Sequence, residues 1–176
     1  MSFIVAFGAS ELLSGWGRQY LARADAKPYP LQLVASALLL GALLQTVWGY
    51  WGFRSVSWGF GSFLLALLPL LPLVGAAGII MPPAGQSAAE TDPKQHYLAV
   101  YPAVFRLLAT WIALGTIAEL VLVEASLHLG HAVRLVGVLL LVGLSFTPNP
   151  TIHWAGLALL AALQAAFVRM VTPALG

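Results

Sequence analysis

Long apolar runs alternate along this chain with short clusters of proline, glycine and charge. A bilayer-spanning helix needs about 20 mostly apolar residues. Six stretches approach or reach that length: Phe3 to Leu21, Leu31 to Phe53, Trp58 to Ile80, Ala103 to Val123, His128 to Phe146 and Thr151 to Val171. Proline marks several breaks, since it lacks the N–H that would continue a helix. Pro28 and Pro30 separate the first pair, and Thr147-Pro148-Asn149-Pro150 the last pair. Arg54-Ser55-Val56-Ser57 reads as a tight turn. Met81 to Gln95 is the clear hydrophilic loop, broken by Pro82, Pro83, Gly85 and Pro93. The pattern predicts an all-α integral membrane bundle of six transmembrane helices, one domain over residues 1–176.

Composition sets the solvent. Of 176 residues, 60% are hydrophobic and 8% charged, and the mean hydropathy is +0.90. Soluble domains carry about 25% charged residues, and a chain this short cannot bury so much apolar surface in a globular core. A net charge of +2 gives no basis for nucleic-acid binding. The expected partners are the lipid bilayer and, through exposed helix faces, a second copy or a membrane partner protein. Cysteine is absent, which removes disulfides, thiolate metal sites and iron–sulfur ligation. The first stretch reads as a span rather than a secretory signal: it has no basic leader and carries Glu11 within its apolar run.

A periplasmic N-terminus places Arg18, Arg23, Lys27, Lys94 and Arg106 inside, against Arg54, Arg134 and Arg169 outside. The positive-inside rule favours that orientation, in a bacterial inner membrane.

The polar residues within the spans carry any chemistry. Gly8, Glu11, Gly15 and Arg18 share one face of the first helix, and Gly41, Gln45, Trp48 and Gly52 one face of the second. Leu108, Ile112, Gly115 and Glu119 do the same on the fourth, with Thr116 alongside. Small residues let helices approach closely, and a lone polar group can hydrogen-bond across the contact. The alternative is that Glu11, Gln45 and Glu119 converge on a cavity and handle protons or a cation, because ionisable groups inside membranes are costly. Gly8/Glu11 and Gly115/Glu119 form an imperfect internal echo, which in two three-helix halves would make an inverted repeat. Pro69 and Pro72 predict a kink in the third helix.

Glu124, His128 and His131 stand at i, i+4 and i+7, a spacing that could hold zinc on a continuous helix. Gly130 and the turn expected there break that continuity, so neither metal nor cofactor is expected, and Glu124 is the nearest partner in sequence for Arg134. His96 and His153 read as isolated. Phosphate loops, HExxH and Gly-x-Ser-x-Gly are all missing from the sequence.

One ordered set of short motifs goes further. Leu12-Leu13-Ser14-Gly15-Trp16-Gly17-Arg18, Leu44-Gln45-Thr46-Val47-Trp48, Trp58-Gly59-Phe60, Leu67-Leu68-Pro69 and His96-Tyr97 together resemble a family of small uncharacterised polytopic proteins of the bacterial inner membrane. The resemblance spans about residues 8–106. Similar proteins follow the His-Tyr pair with an Arg-rich aromatic stretch, where this chain has Tyr101-Pro102 and then only Phe105-Arg106. It implies a multi-helix membrane protein and supplies no activity. The expected function is thus a non-enzymatic structural or interaction component. A small proton- or cation-coupled transporter is the alternative, and an intramembrane haem or metal protein using His128, His131 or His153 the third reading.

Overall fold

The computed structural model describes residues 2–21, 27–83, 92–123 and 128–171, and among them every regular element is helical. The helices are α1 (Ser2–Leu21), α2 (Pro30–Gly49), α3 (Phe60–Leu67), α4 (Leu70–Ile80), α5 (Pro93–Leu122), α6 (Leu129–Leu144) and α7 (Pro150–Val171), with a 3₁₀ segment at Tyr50–Ser55. Four helical stretches are long and apolar enough to cross a membrane: Pro30–Arg54, Phe60–Ile80, Pro93–Leu122 and Pro150–Arg169. Of the other two expected spans, α1 is long enough at 20 residues but carries Glu11 and Arg18 and is not among the helices apolar enough to cross. The 16 residues of α6 rise about 24 Å, short of a hydrocarbon core of about 30 Å.

The largest departures from the sequence expectation lie in the fourth and third spans. The helix expected from Ala103 begins at Pro93, so Tyr97 and Tyr101 are helical and the hydrophilic segment is shorter. Asp92 caps this helix by accepting from the Lys94 amide at 2.9 Å, and Pro93 occupies the first turn, where no donor is needed. The helix then continues past Pro102. Packing compensates there: the rings of Tyr97, Tyr101 and Phe105 all surround His153 of α7. The third span is divided into α3 and α4 at Leu68-Pro69, where a kink is expected, although both residues keep right-handed helical dihedrals. Pro72 falls in the first turn of α4, which tolerates its missing donor.

The helices form a ring of neighbours in the order α1, α4, α5, α6, α7, α2 and back to α1, with α2 also touching α4. Leu12, Leu39, Leu43, Leu70, Leu73, Ile80 and Phe105 fill its core. Large apolar side chains also point outward, among them Phe3 at 87% exposure and Phe60 at 79%. Exposed apolar surface of that extent marks a membrane or protein contact. Together with the four long apolar helices it defines the class, a multi-pass helical membrane protein.

The α1–α4 contact depends on close approach. Gly15 faces Met81, and a β-carbon built on it would lie 2.6 Å from the methionine Cγ and 2.8 Å from its Cβ. Arg18 extends the same contact by donating to the Pro82 carbonyl at 3.3 Å.

Candidate functional site

A cavity of about 1150 Å³ opens between α2, the 3₁₀ segment, α5, α6 and α7. It exists because α2 and α5 barely touch, while α7 bridges from α6 to α2. Its deep walls are apolar, from Leu38, Leu39 and Ala42 on α2, Trp111 and Ile112 on α5, Leu141 on α6 and Leu160 on α7. Gln45 of α2 and Gln164 of α7 supply amides partway along. Gly41 leaves room for the latter: a β-carbon there would stand 2.7 Å from Gln164 Nε2.

Chain direction then gathers the charges. The C-terminal ends of α2, α5 and α7 and the first turns of α6 all reach this cavity, bringing Arg54, Glu119, Arg134 and Arg169 to it. Trp48, Trp51 and Phe167 also line it. Arg134 forms an ion pair with Glu119 Oε2, and its guanidinium lies 4.9 Å above the Phe167 ring. Arg54 stands 5.7 Å over Trp51. Neither Arg54 nor Arg169 has a carboxylate partner among the described residues.

Beside the ion pair, two histidines cap α6. His128 Nδ1 accepts from the Gly130 amide at 3.0 Å, and the His128 amide donates to His131 Nδ1 at 3.2 Å. Imidazoles thus fill the reciprocal roles that a hydroxyl and a carboxylate usually play at a helix start. A backbone donor on each Nδ1 leaves the proton of the neutral ring on Nε2. His128 Nε2 faces Glu119 Oε1 at 3.8 Å, whereas His131 Nε2 is buried without a hydrogen-bond partner.

The residues singled out from sequence are therefore divided. Gln45 and Glu119 line the cavity; Glu11 and Arg18 do not. Glu11 is half-buried on α1, beside the stripe of Val5, Gly8, Leu12 and Gly15. The carboxylate pair on which proton- or cation-coupled transport would rest is not assembled in this cavity. The glycines of the internal echo also differ: Gly8 is wedged against Leu43 and Val74, and Gly115 faces open space. Glu124 lies outside the described residues; the carboxylate that meets Arg134, His128 and His131 is Glu119.

His153, read as isolated from sequence, is fully buried. Its Nε2 lies 2.6 Å from the Thr147 carbonyl, so it donates there, and Nδ1 accepts from the Tyr97 hydroxyl at 2.7 Å. Both nitrogens are engaged, which leaves no lone pair for a haem iron. A second polar set joins α1, α2 and α4. Gln19 donates to Gln32 at 2.8 Å, Gln32 donates to the Ile80 carbonyl at 2.7 Å, and the Trp16 indole donates to Ser36 at 2.8 Å. Its signal was present, since Gln32, Ser36, Leu39 and Leu43 follow helical spacing and are all buried. The small-residue pattern instead points to the neighbouring Gly41/Gln45 face.

No protein-family model, curated protein or solved structure matches this chain.

Proposed function

We propose that this chain is a non-enzymatic six-span protein of a bacterial inner membrane, N-terminus periplasmic, that binds an anionic phospholipid of the surrounding leaflet in its cavity. The observation that carries the reading is the gradient along that cavity, from apolar walls to a mouth with three arginines and one glutamate. Arg134 neutralises Glu119. Arg54 and Arg169 remain as cations that an anionic headgroup would complement, while acyl chains take the walls of Leu39, Ile112 and Leu160. Small-molecule pockets run to about 300–1,000 Å³, so about 1150 Å³ accommodates more than a compact metabolite. Six crossings are supported by the chain path: α6 packs between α5 and α7 and joins two helices that are themselves long enough to cross.

Trp111 in the wall provides the test. Purified protein in nanodiscs is given brominated phosphatidylglycerol or brominated phosphatidylcholine, and tryptophan quenching is compared with that of Trp111→Phe. The expected result is stronger Trp111-dependent quenching by the anionic lipid, with the preference abolished in the Arg54→Ala/Arg169→Ala double variant. Equal quenching by both lipids in the unmodified protein overturns the proposal.

A further inference from the structure

We infer that Glu119, His128 and His131 form a binding site for one divalent transition ion of the zinc class, with Glu119 in the place that the sequence spacing offered to Glu124. Three observations carry it. One carboxylate oxygen and one ring nitrogen from each histidine lie within 4.8 Å of one another, contributed by the last turn of α5 and the start of α6. His131 is only 8% exposed, and its Nε2 has no hydrogen-bond partner. Glu119 divides its two oxygens, Oε2 to Arg134 and Oε1 toward His128, so that the arginine orients the carboxylate from outside the ligand set.

The ligand chemistry selects the ion. Two imidazoles and a carboxylate suit zinc and its neighbours, whereas calcium and magnesium prefer all-oxygen sets. Three protein ligands leave a fourth tetrahedral position open to water.

Loading has a structural consequence. An ion on Nε2 of each ring requires the ring proton on Nδ1, where the backbone amides of Gly130 and His128 now donate. Each proton moves from one nitrogen to the other, with no net release. Metal binding and histidine capping of α6 therefore exclude each other, and the ion exchanges two N–H···N bonds and one orphaned donor for ligand bonds. The ion loosens the first turn of α6 while tying it to α5.

The test uses the untagged, metal-stripped full chain in nanodiscs, titrated with cobalt(II) followed by its ligand-field absorption and then competed with zinc. One equivalent is expected, with a tetrahedral spectrum. Loss of a supporting partner outside the ligand set weakens metal sites by about 10–100-fold, so loss of a ligand in His131→Ala or Glu119→Gln should weaken binding at least that much. His128→Asn separates ligand from cap, because asparagine is itself a good N-cap; it should keep the helix content and lose the metal. Hydrogen exchange at the Gly130 amide should accelerate on loading the unmodified protein. Absence of cobalt binding, or affinities unchanged in His128→Asn and His131→Ala, overturns the inference.

Discussion

Tyr97 and His153, 56 positions apart, share a buried hydrogen bond of 2.7 Å that joins α5 to the start of α7. With Nε2 donating to Thr147, the tautomer is set and the tyrosine must be the donor. Tyr97→Phe would leave His153 Nδ1 buried without a donor, a loss of about 1–3 kcal/mol. His153→Ala also removes the ring around which Tyr97, Tyr101 and Phe105 pack, and should cost more. Thermal unfolding in detergent should rank the midpoints wild type, Tyr97→Phe, His153→Ala; a His153→Ala protein as stable as wild type would contradict the arrangement.

Gln32 transmits a polar contact across three helices, accepting from Gln19 of α1 and donating to the last residue of α4. Gln32→Leu keeps the volume and strands both partners, so it should destabilise by about 1–3 kcal/mol. Gln19→Ala removes one end and should cost less. Unfolding titrations in SDS would compare the two.

Gly15 and Gly17 offer a matched pair on one helix. Alanine at Gly15 collides with Met81 Cβ as well as its flexible end, whereas Gly17 has open space. Overpacking predicts a loss of about 1–3 kcal/mol for Gly15→Ala. Helix propensity predicts a gain of up to about 1 kcal/mol for Gly17→Ala. The same sign for both in a denaturation assay would show that the α1–α4 contact is not as close as described.

The Glu119–Arg134 pair is partly exposed, at 24% and 22% of side-chain area. Its coupling should accordingly be modest, in the range of about 0.5–3 kcal/mol found for contacting residues. A double-mutant cycle of Glu119→Gln and Arg134→Ala, read as unfolding free energy, measures it; strictly additive effects would remove the pair from the account. Arg134→Ala should cost more than Glu119→Gln, because Phe167 also loses its cation.

Much of this molecule could be read directly from its residues. The apolar runs and the proline breaks located the helices because the bilayer acts on each stretch separately, setting a length and excluding charge. The break at Pro69 was visible for the same local reason, as a missing backbone donor. Pro102 shows where local reasoning stops: the fourth span is expected to begin just after it, at Ala103, yet α5 continues through it, packed against a histidine 51 residues further on. The separation of Glu11 from Glu119, the meeting of Glu119 with Arg134 and His128, and the gathering of Arg54 and Arg169 at one mouth depend on which helices become neighbours. Lipid solvates every apolar face about equally and so does not choose among those pairings. They were decided by close packing between distant positions, as at Gly15 against Met81, and by buried polar groups such as Gln32 that must find partners.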